Sequence, residues 1–303
     1  MGRLFLSRLA STIPVLILIS VFSFVLIHFI PGDFIDALYP SDFTESMETR
    51  EHLVRKYGLD QPLPVQYARW ASELARGNLG QSIRYNNEDV LQLILTNLPP
   101  TLALAGASLA IGIAIGLPAG TLAALRRNSR LDLSITTFAL IGSSIPSFAI
   151  GTILLLVFAI RLDWLPAINH LLLPSLTLGI GIAGILARTI RAGMIEELNR
   201  DYVRTARAKG LSEKRVVLIH VLRNSLFSLV TILGILVGTL LGGAIVVEQL
   251  FVWQGIGWLV LQAITYRDYA LVQGVVLFMA LIFVLVTLIV DITYALLDPR
   301  VTR

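Results

Sequence analysis

An uninterrupted apolar segment runs from Pro99 to Leu125 and reads PPTLALAGASLAIGIAIGLPAGTLAAL. It contains no charged residue, and it is longer than the roughly 20 residues that a helix needs to cross the hydrocarbon core of a bilayer. A water-soluble fold would have to leave much of such a segment facing solvent, whereas a lipid bilayer accepts it. We therefore predict that this segment spans a membrane.

Five further apolar runs occur, and the whole chain is 55% hydrophobic and 15% charged, against about 25% charged residues in an ordinary soluble domain. The first run follows two arginines and resembles a signal peptide, but it is longer than a typical signal core and no small-residue cleavage site follows it. The sequence thus predicts an all-α integral membrane protein with six transmembrane helices. The other five runs are Leu9–Ile30, Ser134–Ile160, Leu171–Ile190, Leu226–Val247 and Ala270–Leu297.

The basic residues orient these helices, because positive charge concentrates in the cytoplasmic loops of membrane proteins. Four segments at or beyond the ends of the apolar runs hold 16 of the 24 Lys and Arg residues, so we predict that these segments and both chain termini are cytoplasmic. The basic residues form no single stripe, and the sequence therefore gives no reason to expect a nucleic-acid partner. The four segments are Met1–Arg8, Arg126–Leu133, Arg188–Arg223 and Asp298–Arg303.

A long polar segment separates the first two apolar runs. Within it, small and apolar residues recur at helical spacing over Val65–Arg76, with Pro64 before the stretch and Gly77 after it, as at the start and the end of a helix. We predict a small extracytoplasmic helical segment here, the alternative being a simple linker. The chain then divides into 1–98, the first transmembrane helix with this segment, and 99–303, a core of five helices.

Two of the apolar runs carry glycines at every fourth position, which places them on one face of a helix. Such a face either allows close helix packing or lines a pore, and we favour packing. The glycines are Gly112, Gly116 and Gly120 in one run, and Gly234, Gly238 and Gly242 in another.

Groups suited to catalysis, metal binding or ion coupling are scarce in the predicted spans. The chain has no cysteine, and the ionisable residues in or beside the spans include Asp291, His28 and Glu248. An ion-coupled secondary transporter, the competing class, is expected to carry charged or broken helices near the bilayer midplane. None of the three lysines follows a glycine, as a phosphate-binding loop requires. We therefore predict that the chain is not an enzyme and that any ATPase is another polypeptide.

The basic segment 191–225 contains a recognisable local pattern. Two glutamates precede a helix-forming stretch, and basic residues close it just before Gly210, which is the charge order that the helix dipole favours. Gly210 is typical of a helix end, and Ser212 is suited to cap a second helix. The pattern predicts a helix, a tight turn and another helix. A solvated basic loop facing anionic lipid is the alternative.

The same segment carries DYVRTARAKG at Asp201–Gly210, followed by LRN at Leu222–Asn224. These motifs resemble the coupling loop of inner-membrane permeases of ATP-binding-cassette (ABC) importers, specifically the dipeptide, oligopeptide and nickel branch. The Glu-Ala-Ala pattern of the wider superfamily is absent, because Arg204 and Thr205 stand at its first two positions. The resemblance implies that this loop docks on an ATPase. The implied coupling residues are Arg204, Thr205, Ala206, Lys209, Gly210, Leu211 and Ser212.

Further motifs extend the resemblance over nearly the whole chain. One departure is Gln254, which stands before Gly255 where this branch usually has proline. The matching motifs are IPGD at Ile30–Asp33, GLDQPL at Gly58–Leu63, NLGQS at Asn78–Ser82, RDY at Arg267–Tyr269 and DPR at Asp298–Arg300.

The resemblance implies a type I ABC importer permease fold in the cell inner membrane. It also implies four kinds of partner: a second homologous permease subunit, two cytoplasmic ABC ATPase subunits that bind the ATP, an extracytoplasmic solute-binding protein, and the lipid bilayer. The permease itself then needs no cofactor and no metal. We expect it to form a translocation pathway for short peptides, with nickel or nickel chelate, glutathione or oligosaccharide as alternative substrates.

Overall fold

The computed structural model describes the backbone of residues 2–29, 55 and 60–297. Side chains are described within these ranges except at 2–11, 26–29, 227, 228, 230, 242, 243, 291 and 294–297. The motifs at Ile30–Asp33 and Asp298–Arg300, the start of the motif at Gly58–Leu63, and the side chains of His28 and Asp291 therefore lie outside the described residues.

The described chain is built almost entirely from helices, as the apolar runs predict. Two of them, which end at Leu154 and at Arg215, continue directly into short π-helical segments, Leu155–Arg161 and Val216–Val221. The helices are α1 (Gly2–Phe29), α2 (Leu63–Ala75), α3 (Val90–Leu125), α4 (Arg130–Ser144), α5 (Ser147–Leu154), α6 (Leu172–Leu198), α7 (Asp201–Ala208), α8 (Glu213–Arg215), α9 (Leu222–Gly243), α10 (Ile245–Leu250), α11 (Ile256–Thr265) and α12 (Tyr269–Leu297).

Three helices are long and apolar enough to cross a membrane singly: α3, α6 and α12, the last over Tyr269–Val290. Two bent helix pairs also qualify when each pair is taken as one span, so the described residues hold three to five candidate spans. Helix α1 has 28 residues, and its described side chains form an apolar helix over Thr12–Val25. Within the described residues, each of the six predicted runs is therefore mostly helical.

The prediction of one uninterrupted helix over Ser134–Ile160 is wrong. Helices α4 and α5 meet at an angle of 100° instead. The break lies at Pro146, because proline disfavours the helical conformation in the residue before it. Ile145 accordingly has an extended backbone (φ −75°, ψ 131°). The Pro146 carbonyl then accepts the Ala149 N–H (3.0 Å) and starts the next helix.

Two predicted helix boundaries are also wrong. Helix α3 begins at Val90 rather than at Pro99, because consecutive prolines are tolerated inside membrane helices when other groups satisfy the freed carbonyls. The Pro100 carbonyl also accepts the indole N–H of Trp253 (2.9 Å). Helix α6 does not stop at Ile190 but continues to Leu198, so the first part of segment 191–225 is helix rather than loop.

The glycine face of α3 packs against α6, which confirms the interpretation as close packing. A Cβ atom added at Gly116 would lie 2.7 Å from the Ala183 carbonyl oxygen, and one at Gly120 would lie 2.5 Å from the Ala187 carbonyl oxygen. Real Cβ atoms are almost never that close, so only glycine permits this approach. In the second glycine run, Gly234 similarly faces Val290.

The chain divides into two compact units, which we call the main unit and the second unit. The main unit consists of Pro100–Gln254 and Leu285–Arg303, and the second unit of Gly2–Pro99 and Gly255–Val284. The predicted division into 1–98 and 99–303 stays a prediction.

The second unit contains α2, which confirms the helix predicted over Val65–Arg76. Helix α2 ends before Gly77, whose backbone is left-handed (φ 82°). A feature that the sequence did not predict follows it: an antiparallel hairpin of β1 (Gln81–Ser82) and β2 (Glu88–Asp89), in which Gln81 pairs with Asp89 and Ser82 with Glu88.

Candidate functional site

The predicted coupling residues lie on helix α7 and on the turn that follows it. Asp201 stands in the first turn of α7 and Arg207 in the last, so both charges complement the helix dipole. Helix α7 ends at Ala208, two residues before Gly210, whose φ of 76° is costly for residues with a side chain. The helix end predicted at this glycine is thus confirmed.

The end of α7 is a Schellman motif, a pair of backbone hydrogen bonds that satisfies the last carbonyls of a helix. The Gly210 N–H donates to the Arg207 carbonyl (2.9 Å), and the Leu211 N–H donates to the Ala206 carbonyl (3.3 Å). The motif fixes the direction in which the chain leaves the helix. Gly210 and Leu211 are therefore needed for the shape of the turn, whatever else they contact.

Helix α7 has one buried and one exposed face. Val203 and Ala206 belong to the hydrophobic core of the main unit, where they cluster with Met194 of α6 and with Val216 and Val217 of the following segment. Among the other predicted coupling residues, Leu211 is half-buried and packs against that core, and the rest are exposed. The exposed residues are Arg204, Thr205, Lys209, Gly210 and Ser212.

An ion pair closes the turn between α7 and α8. The Arg207 guanidinium donates to both carboxylate oxygens of Glu213, from Nε at 2.6 Å and from Nη2 at 3.2 Å. This hydrogen bonding raises the pKa of Arg207 and lowers the pKa of Glu213. The pair therefore remains charged at neutral pH and links the two helices across Gly210.

A second polar contact joins α7 to the end of α6. The hydroxyl of Tyr202 donates to Oε2 of Glu197 (2.6 Å). Burial, and then the hydrogen bond to Glu197, raises the pKa of Tyr202, so the phenol stays protonated and remains a donor. Together with the core around Val203, this contact holds α7 firmly against α6.

One expectation for this region is wrong in detail. Ser212 precedes α8, but its hydroxyl makes no capping hydrogen bond within the described residues. Its backbone carbonyl starts the helix instead, accepting the N–H groups of Arg215 (2.9 Å) and Val216 (3.0 Å).

Charged side chains are buried just outside two of the predicted spans. Glu248 is fully buried, and its Oε1 accepts the hydroxyl of Thr101 (2.8 Å). Asp132 is buried as well, and it pairs with Arg191 through two hydrogen bonds, Nε to Oδ1 at 2.5 Å and Nη2 to Oδ2 at 2.8 Å.

The local sequence carries a signal for the position of Asp132. Ser129 stands three residues before it, the spacing of a capping box, and its hydroxyl does accept the Asp132 N–H (3.2 Å). In the second unit, Asp268 is likewise buried and accepts the hydroxyl of Ser82 (2.5 Å). The described residues contain no group of three or more His, Cys, Asp or Glu side chains placed to hold a metal ion.

The chain matches two families along its length. Residues 116–303 match the binding-protein-dependent transport system inner membrane component family. Residues 1–105 match the N-terminal family of binding-protein-dependent transport system membrane components. The candidate coupling residues all lie within the first of these matches.

Curated relatives match over nearly the full length. The oligopeptide transport system permease protein of Bacillus subtilis is 36% identical, and the match covers 99% of each chain. The glutathione transport system permease protein of Escherichia coli K12 is 39% identical, over 98% of this chain and 97% of the relative.

A solved structure shares the fold. The chain resembles a methionine ABC transporter in an inward-facing conformation with a TM-score of 0.60 at 22% identity, over 69% of this chain and 97% of the other. This confirms the predicted fold class. The chain belongs to the binding-protein-dependent transport system inner membrane component family, the membrane-spanning permeases of ABC importers.

Proposed function

We propose that this permease forms part of a translocation pathway for short peptides and couples it to ATP hydrolysis through α7 and the Gly210 turn. The observation that carries the proposal is the two-faced packing of α7. Its inner face is anchored in the core of the main unit, while its outer face is exposed. A partner that pushes on the outer face would therefore move the helices beneath it.

The proposed complex contains four kinds of component. A second homologous permease completes the pathway, two cytoplasmic ABC ATPase subunits bind the ATP, and an extracytoplasmic solute-binding protein delivers the solute. Both termini of this chain are cytoplasmic in the proposed topology, as the distribution of Lys and Arg indicates. In this proposal the ATPase subunits, and not this chain, bind the nucleotide.

The peptide substrate is supported by the names of the relatives. The Bacillus subtilis relative is named for oligopeptide transport, and the Escherichia coli relative for glutathione, which is itself a small peptide. Nickel, nickel chelates and oligosaccharides have no comparable support. An ion-coupled secondary transporter is not favoured, because the matching family is one of binding-protein-dependent transport systems.

The proposed mechanism is a rigid-body movement. Closure of the ATPase dimer on ATP would displace α7, and the displacement would pass to α6 through the shared hydrophobic core around Val203 and Met194. Packed cores deform little, so the helices would rock as a group between an inward-open and an outward-open state.

Reconstitution tests the proposal. The permease would be purified with its partner permease, ATPases and binding protein, and placed in liposomes that contain ATP. We expect ATP-dependent uptake of a labelled short peptide and none when ATP is omitted. Uptake driven by an ion gradient without the ATPases would overturn the proposed coupling, and uptake of nickel chelate or oligosaccharide instead of peptides would overturn the substrate class.

Topology is tested separately. Reporter fusions at Arg127 and at the C-terminus should report the cytoplasm, and one at Glu73 should report the outside. A cytoplasmic signal at Glu73 would contradict the proposed orientation.

A further inference from the structure

Asp132 and Arg191 form the most enclosed ion pair among the described residues. The Asp132 side chain is 5% exposed and that of Arg191 28% exposed. Besides Arg191, the Asp132 carboxylate accepts the backbone N–H of Asn128 (2.9 Å) and the hydroxyl of Thr136 (3.3 Å). The carboxylate thus has partners on both oxygens and is held in one orientation.

Net stabilisation does not explain such a pair well. Removing two charges from water costs about as much free energy as their attraction returns, so an apolar pair of similar size would often stabilise as much. A planar guanidinium that binds a carboxylate through two parallel hydrogen bonds does, however, fix the relative position of the elements that carry it. These elements are the first turns of α4 and the second half of α6.

Close backbone packing continues the connection between α4 and α6. A Cβ at Gly184 of α6 would collide with the Ala139 carbonyl oxygen of α4 and would lie 3.2 Å from the Ser143 nitrogen. Gly142 of α4 similarly faces Ile180, where a Cβ would lie 3.3 Å from Cγ2. At Gly184 the backbones of the two helices are therefore in direct contact.

The ion pair lies near the proposed coupling helix. Glu197, which accepts the Tyr202 hydroxyl of α7, follows Arg191 by six residues on the same helix, a rise of about 9 Å. Helix α6 is unbroken from Leu172 to Leu198. A continuous structural connection therefore leads from α7 through α6 and the ion pair to α4 and the 100° break before α5.

We propose that Asp132 and Arg191 are positioning residues that transmit the displacement of α7, through α6, to the bent pair α4 and α5. This inference rests on the proposed function. It adds that the bent pair moves during transport and that the ion pair makes it move together with α6. Losing the pair then uncouples ATP hydrolysis from solute movement rather than preventing assembly.

The test compares variants in the full reconstituted complex. Asp132→Asn keeps the side-chain volume but removes the charge, and Arg191→Lys keeps the charge but removes the two-bond geometry. The control is Glu196→Gln, which disrupts an exposed ion pair with Arg200 (2.7 Å) on the neighbouring turns. The measured quantities are peptide taken up per ATP hydrolysed and the melting temperature of the complex.

For Asp132→Asn and Arg191→Lys we expect stimulated ATP hydrolysis to persist while uptake per ATP falls about 2- to 30-fold, the range in which single residues alter coupling between distant sites. The control should keep the wild-type ratio. A wild-type ratio in both test variants would overturn the inference, whether or not the melting temperature falls, because a purely structural role lowers stability without changing the ratio. If the wild-type complex itself shows no ATP-driven uptake, the proposed function fails, and the inference fails with it.

Discussion

Helices α2 and α7 are both short, and both are followed by a glycine with a left-handed backbone, Gly77 (φ 82°) and Gly210 (φ 76°). Among the described residues, no atom lies within 4 Å of a Cβ added at either glycine. The helices differ in what lies beneath them. Helix α7 buries Val203 and Ala206, whereas α2, which the structure describes completely, has no buried residue.

Helix α2 packs instead against α1 through a few side chains, of which Ser20 and Phe24 are buried. The hydroxyls of Tyr67 and Ser20 of α1 are 2.8 Å apart, and the ring of Phe24 lies 5.5 Å from that of Tyr67 and 5.7 Å from that of Trp70. The comparison teaches that two helices with the same local signals differ in mechanical role. A force on α7 reaches a hydrophobic core, and a force on α2 reaches only a few rings.

The largest difference in ATPase association between a variant of α7 and its counterpart in α2 is expected for Val203→Asp and Val65→Asp. Val203 is 0% exposed and Val65 of α2 is 39% exposed. An unpaired carboxylate at the buried position should cost about 3–5 kcal/mol, as when a buried ion pair loses one partner. At the exposed position, in the first turn of a helix, the same change should cost less than about 0.5 kcal/mol.

The measurement is the amount of ATPase that copurifies per permease, together with the permease level in the membrane. Val203→Asp should strongly lower the amount of copurifying ATPase. Val65→Asp should change neither that amount nor the permease level. Normal ATPase association in Val203→Asp would mean that the buried face of α7 does not support the docking surface.

A smaller difference is expected for Gly210→Val and Gly77→Val. Since neither site is crowded, valine introduces backbone strain alone, about 1–3 kcal/mol at each position. At Gly210 the strain distorts the Schellman motif. The valine side chain also occupies space on the proposed docking surface. We expect normal membrane insertion, weaker ATPase association and loss of stimulated ATP hydrolysis.

Gly77→Val should leave ATPase association and hydrolysis intact, which makes it the matched control for a left-handed glycine. Full transport by Gly210→Val at an unchanged membrane level would remove the Gly210 turn from the coupling mechanism.

The smallest difference is expected for Arg207→Ala and Arg76→Ala, each of which disrupts an exposed ion pair. Arg207 is 43% and Glu213 64% exposed, so losing the pair should cost less than about 1 kcal/mol and weaken ATPase association slightly. Arg76 pairs with Glu73 (3.1 Å) on α2, and its loss should not affect the ATPase.

The pH dependence of the Arg207 effect has a definite sign. Because the pKa of Glu213 is lowered in the folded chain, the contribution of the pair is present above the ordinary carboxyl pKa and is lost as the pH falls through the lowered value. The difference in ATPase association between wild type and Arg207→Ala should therefore stay constant across neutral pH and shrink in acid. A difference that grows in acid would contradict the assignment of Glu213 as the partner.

Much of the fold follows from local sequence, because membrane helices are specified by apolar length and helix ends by glycine. Patterns within one helix or one turn predict the helices at Val65–Arg76 and Asp201–Gly210. They also predict the close glycine packing of α3. The family resemblance indicates which of these local features belongs to the candidate site.

Other features depend on residues that are distant in sequence or on competing local signals. Asp132 and Arg191 are 59 residues apart, and nothing in either segment alone indicates that they pair. Hydrophobicity continues across Pro146, so apolar length alone does not indicate the break there. Pro99 is typical of a helix start, although the membrane allows a helix to continue through it.

The central claim, that α7 is the docking surface for the ATPase, can be tested by site-specific crosslinking. The chain has no cysteine, so Thr205→Cys on the exposed face of α7 and Ser72→Cys on the exposed face of α2 each introduce a unique thiol for a photoreactive label. In the purified active complex, we predict an adduct between permease and ATPase from position 205 and none from position 72. An active complex that gives no ATPase adduct from position 205, or gives one from position 72, would contradict the account.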